Sequence, residues 1–250
     1  MLDLLAFTGA ETALAAVVLL AAAYIRGLTG FGFSAVLVAG LSFVIDPAQA
    51  VALAVIFEIT ASVLQTPGVW KDIAWGPCGA LLAAAFIGNP IGVWILSTAD
   101  PDTLRVIVFV AMLLLAIGLL LGWSSNLAPT LGVFFAVGLV AGVVNGATAL
   151  AGLVIVLGMS FMSVAPIELR ATLIAYFFGS DLVAVGWLAV QGEVTSTEVW
   201  RMLIGLPLLA VGIAVGSRTF TNISPDRFRR VVLWLLVALA TAGLARTLLL

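Results

Sequence analysis

The chain is a succession of apolar blocks cut by short polar interruptions, with little strict alternation of apolar and polar positions. Such blocks read as helices rather than the alternating strands of a membrane barrel. Charges, prolines and glycines bound ten of them, at roughly 12–26, 31–45, 48–66, 76–97, 103–122, 131–145, 150–164, 167–190, 199–220 and 227–249. A membrane-crossing helix needs about 20 apolar residues. Six blocks have that length or nearly so. The pairs 12–26 with 31–45 and 131–145 with 150–164 are short, and small residues separate the members of each pair.

The short pairs recur at one spacing. Gly27-Leu28-Thr29-Gly30 overlies Gly146-Ala147-Thr148-Ala149, and the same displacement carries Pro47 onto Pro166 and Ala52 onto Ala171. Pro101-Asp102 matches Pro225-Asp226 after a small slip. The expected fold is an all-α polytopic membrane protein of two inverted repeats, 1–125 and 126–250, forming one integral membrane domain. Each repeat would hold two short helices, broken or re-entrant, and three longer transmembrane helices. An odd number of crossings per repeat turns the halves opposite ways. The basic loop around Arg218, Arg227, Arg229 and Arg230 then suits the cytoplasm, with Lys71 on the same side. Asp100, Asp102, Arg105, Glu193 and Glu198 suit the outside, as do both termini.

Composition agrees with a membrane chain. Of 250 residues 64% are hydrophobic and 9% charged, with a mean hydropathy of +1.30, against about 25% charged in soluble domains. The net charge of −2 offers no basic face for nucleic acid. Cys78 stands alone, which excludes a disulfide framework or multi-cysteine cluster, and histidine is absent. No cofactor and no metal are expected. The apolar stretch Leu14–Tyr24 follows Asp3 and Glu11 without Lys or Arg, the reverse of a signal peptide, and reads as mature protein. The seven tryptophans read mostly as lipid-facing and interfacial anchors.

The interruptions carry the candidate chemistry. Gly27, Gly30 and Gly32 let the chain leave helical geometry, and irregular backbone at membrane depth is tolerated where it is buried or lines a polar cavity. The following segments would aim their free N–H groups and positive dipole ends into that cavity. Thr29 and Thr148 add hydroxyls, and Asn145, Gly146 and Gly152 belong to the second break. Arg26 would add a full positive charge if it faces the site rather than the membrane surface. Packing glycines between close helices are the plainer alternative. Glu58 and Asp181 lie deep inside apolar segments, and a carboxyl group withdrawn from water holds a proton more readily, which suits proton coupling. A pair with an arginine from another helix is the structural alternative for Glu58. Asp46 reads as an N-cap, and Gln49 and Glu168, in first turns, read as capping residues. Arg170 either pairs with Glu168 or attracts an anion. Asn89, before Pro90, is either pore-lining or part of a kink.

The stretches "RGLTGFGFSAVLVAGLSFVIDPAQAVAL" and "GVVNGATALAGLVIVLGMSFMSVAPIELRATL" resemble the paired signature regions of the TauE/SafE sulfite exporter family. The resemblance covers nearly the whole chain, although Ala149, Leu150 and Leu153 depart from the second pattern. It implies a secondary transporter exporting a small sulfur-containing or organic anion (sulfite, sulfonate or similar) across the bacterial inner membrane. The motif carries over to Gly27, Thr29, Gly30, Gly32, Gly146, Thr148 and Gly152. A passive anion channel, an importer of the same substrates and an intramembrane aspartyl enzyme remain rivals. An oligomer is compatible with the sequence.

Overall fold

The structure, a computed structural model, describes residues 9–122, 127–162, 164–219 and 225–249, without the side chains of 225–229. Asp3, Arg227 and Arg229, used above for the signal-peptide and orientation readings, lie outside the described side chains. Everything regular among the described residues is helical. The order is α1 (Gly9–Thr29), α2 (Phe33–Leu41), α3 (Pro47–Val69), α4 (Trp75–Thr98), α5 (Pro101–Leu120), α6 (Leu131–Thr148), α7 (Ala151–Ser160), α8 (Pro166–Val190), α9 (Ser196–Thr219) and α10 (Pro225–Leu249). Eight of these are long and apolar enough to cross a membrane, and only α2 and α7, at 9 and 10 residues, are too short.

This departs from the block pattern in one respect. The pieces before the two breaks are full-length helices rather than short ones. Helix α1 begins earlier, taking in Glu11 and Thr12, and runs on through Gly27 to Thr29. Glycine inside a helix costs about 1 kcal/mol relative to alanine but does not end it. Gly30 and Gly32 do end it, because both sit at φ 81°, where a side chain would be strained. On α6 the equivalent turn falls at Ala149, at φ 58°, without a glycine.

Each half runs long, short, long, long, long. The neighbours correspond as well: α1 packs along α9 and α6 along α4, while α3 touches α8 and α9, and α8 touches α3 and α4. Helix α5 packs on α10 and α7, and α10 on α5 and α2. Exchanging the first five helices for the second five maps these pairings onto one another.

Close helix crossings fix the positions of the breaks. A Cβ on Gly27 would strike the carbonyl of Ile213 and lie 2.9 Å from the nitrogen of Ser217, both on α9. A Cβ on Gly146 would strike the carbonyl of Asn89 and lie 2.7 Å from the nitrogen of Val93, both on α4. These two glycines thus do what the plainer sequence reading held, letting backbones meet where lipid supplies no hydrophobic drive for association. Cys78 is buried in a small apolar cluster with Ile73 and Ala171. Trp70, Trp75, Trp94, Trp187, Trp200 and Trp234 are exposed, as their anchoring role expects.

Candidate substrate and proton site

The last turn of α1 carries Arg26, which is fully buried inside the bundle and not at its surface. Helix α3, helix α8 and the break itself hold its guanidinium. Nη1 lies 3.1 Å from Glu58 Oε2 and donates to the Gly30 carbonyl at 2.8 Å. Nη2 donates to Ser62 Oγ at 3.0 Å and Nε to Gln65 Oε1 at 2.9 Å. The planar group also stacks over the Phe177 ring, 4.5 Å from its centre. Glu58, Ser62 and Gln65 are spaced i, i+4, i+7 on α3 and therefore share one face. Glu58 gains a further donor, Ser34 Oγ at 2.6 Å, from the first turn of α2. The positive end of α2 is thereby matched to a carboxylate of the protein itself.

The second break gathers a different set. Asn145, in the last turn of α6, donates to Asp181 Oδ1 at 2.8 Å and to Asn89 Oδ1 at 3.3 Å. Asn89 donates in turn to Ser180, to Oγ at 2.9 Å and to the carbonyl at 3.2 Å. Asn89, Asn145, Ser180 and Asp181 are all at most 1% exposed. Asp181 Oδ2 makes no hydrogen bond among the described residues. The carboxyl group is within electrostatic reach of Glu58 and Arg26, so the two sets belong to one cluster. That cluster holds one fully buried cation and two buried carboxyl groups.

The remaining candidates surround this cluster. Thr29 Oγ1 accepts from Phe31 N at 3.2 Å and is within donating distance of the Ile25 and Phe31 carbonyls, so it braces the break. Thr148 Oγ1 donates to the Val144 carbonyl. Arg170 reaches across from α8 to donate to the Gly27 carbonyl at 3.0 Å, and its Cγ would sit 2.5 Å from a Cβ on Gly30. Gly152, on α7, leaves room for Phe177, whose ring tip a Cβ there would approach to 2.9 Å. Gly32 lies beside Ile25 at the same bend.

Several participants were not legible as site residues. Ser34, Ser62, Gln65, Ser180 and Phe177 carry no motif, though Ser62 and Gln65 share Glu58's helical face. Two first-turn readings are corrected. Asp46 occupies the N-cap position of α3 but its side chain makes no cap hydrogen bond, lying instead 3.6 Å from Arg105. Gln49 Oε1 accepts from Arg201 of α9 at 3.3 Å instead of capping its own helix. At this end of the bundle, burial and then the charges of Glu198 and Asp46 push the half-buried Glu193 carboxyl above the usual glutamate range.

The chain matches the family model described as sulfite exporter TauE/SafE over residues 14–242. The probable inner membrane transporter protein TsaS of Comamonas testosteroni is 24% identical to it over 207 residues, which cover 78% of this chain and 81% of that protein. No solved structure matches it. The chain belongs to the TauE/SafE family, and it is therefore a membrane transporter rather than an enzyme.

Proposed function

We propose that this transporter exports a small sulfur-containing or organic anion, sulfite or a sulfonate among them, across the bacterial inner membrane, together with a proton. The relative's name and the family description support the substrate class and the membrane. The correspondence of helix pairings supports two inverted repeats, 1–125 and 126–250, rocking about a site near the midplane.

One observation carries the reading: at the broken helix the fully buried guanidinium of Arg26 is paired with Glu58, and a second buried carboxyl group, Asp181, is within electrostatic reach of both. With Arg26 already paired to Glu58, an ionised Asp181 adds a negative charge to the cluster, which opposes an arriving anion. A proton on one carboxyl removes that opposition. Glu58 is already engaged through both carboxylate oxygens, by Ser34 and by Arg26. Asp181 receives one amide donor and keeps Oδ2 without a partner among the described residues, so it takes the coupling proton. The anion then shares Arg26 with Glu58, and Asn89 and Asn145 supply neutral donors.

Uptake of radiolabelled sulfite into proteoliposomes under an imposed pH difference tests the reading. Accumulation against the sulfite gradient that collapses with a protonophore supports coupled transport. Equilibration without accumulation would identify a passive pathway instead.

A further inference from the structure

The described residues hold a second buried charge pair, away from the central cluster. Arg201 and Glu198 on α9 are 7% and 1% exposed. The Arg201 guanidinium lies 3.4 Å from Glu198 Oε1 and 3.3 Å from Gln49 Oε1 on α3. Buried ion pairs are often no more stabilising than well-packed apolar side chains of similar volume, so stability alone does not account for this one.

Its surroundings suggest a role. Arg201 and Glu198 line a polar cavity of about 460 Å³ together with Asp46, Gln49, Thr195 and Thr197. Arg201 also lines a smaller, almost wholly apolar cavity of about 150 Å³, whose walls include Leu53 and Phe57 of α3, Gly205 of α9 and Leu19 of α1. It is the one residue common to both linings. Gln49, Leu53 and Phe57 are spaced i, i+4, i+8, so a single face of α3 runs from the polar cavity to the residue beside Glu58. Phe57 is closely packed in that lining: its ring tip would lie 2.6 Å from a Cβ on Gly205, and it meets Phe33 edge-on at 6.2 Å.

Glu198 is held independently of Arg201. Thr195 and Glu198 form a capping box at the start of α9. Glu198 Oε2 accepts from the Thr195 backbone N–H at 3.0 Å and from the Thr195 hydroxyl. Arg201 can therefore exchange partners while Glu198 stays anchored.

We propose that Arg201 is a second, outer station for the transported anion. There a small oxyanion that has left Arg26 and passed Phe57 replaces the Glu198 carboxylate on the guanidinium before its release. The station rests on the transporter reading above and takes the same class of ligand, a sulfite, sulfonate or carboxylate oxyanion.

Equilibrium binding of radiolabelled sulfite to purified, monodisperse protein in detergent tests it. The wild type should bind two equivalents, and Arg201→Gln and Arg26→Gln one each. Glu198→Gln keeps an oxygen for Thr195 but removes the competing charge, so one class of site should tighten about tenfold. Where Arg201→Gln does not remain monodisperse, Glu198→Gln decides. Two equivalents in Arg201→Gln, or an unchanged affinity in Glu198→Gln, would overturn the outer station while leaving the central site standing. Loss of all sulfite binding in the wild type would overturn both.

Discussion

On α1 and α3, Arg26 donates to Ser62; on α6 and α8, at the positions reached by the same displacement, Asn145 donates to Asp181. The scaffold under the two contacts is the same. Each donor sits in the last turn before a break, and each break is pressed against a neighbouring helix through Gly27 or Gly146. The chemistry is distributed oppositely. The first pair holds the cation, balanced by Glu58 and surrounded by Ser34, Ser62 and Gln65. The second holds an acid met by a neutral amide. In the proposed mechanism the first pair supplies the fixed positive charge and the second the acid that takes the proton.

Removing the cation should have the largest effect. Arg26→Gln leaves Glu58 buried without its counter-charge and should cost about 3–5 kcal/mol in chemical denaturation, with transport lost. Adding Glu58→Gln to it should restore most of the stability but none of the transport. If the double variant transports sulfite normally, Arg26 is structural and the contrast between the pairs has no functional meaning.

The shared scaffold predicts an equal response from both halves. Gly27→Ala and Gly146→Ala each drive a methyl group into a facing backbone and should each cost about 1–3 kcal/mol. A large cost at one position and none at the other would break the likeness on which the comparison rests.

The turn after each break should respond with opposite sign. Ala149→Gly relieves a left-handed alanine and should raise stability by about 1 kcal/mol. Gly30→Ala introduces that strain and also meets Arg170, so it should lower stability by at least as much. Thermal unfolding of the two purified variants reads both signs.

Asp181→Asn should be the mildest for folding, with a change below about 1 kcal/mol, because the amide still accepts from Asn145. A loss as large as that of Arg26→Gln would mean that Asp181 is a permanent ion pair partner.

Much of this was visible in the chain. The block lengths and the repeated Gly-x-Thr stretch announced a helical membrane protein with two breaks, and burial of Glu58 and Asp181 followed from their place inside apolar segments. Pairing was not visible. Whether Arg26 turned inward depended on α3 coming within side-chain reach of the last turn of α1, a meeting of distant segments that no local pattern encodes. For the same reason Gln49 was read as a cap, its true partner Arg201 being remote in sequence. Thr29 and Thr148 illustrate a further limit: a hydroxyl near a break can serve the ligand or its own backbone, and in this structure both bond backbone carbonyls or amides.

The division between fixed cation and titrating acid is tested most directly by the pH dependence of counterflow of a sulfonate, which stays a monoanion throughout, in proteoliposomes, compared between wild type and Asp181→Asn. Because the protonated acid admits the anion, wild-type counterflow should rise as pH falls and decline as Asp181 loses its proton. Asp181→Asn should give counterflow that does not vary with pH. A variant that keeps the wild-type pH profile would contradict the assignment of the proton to Asp181.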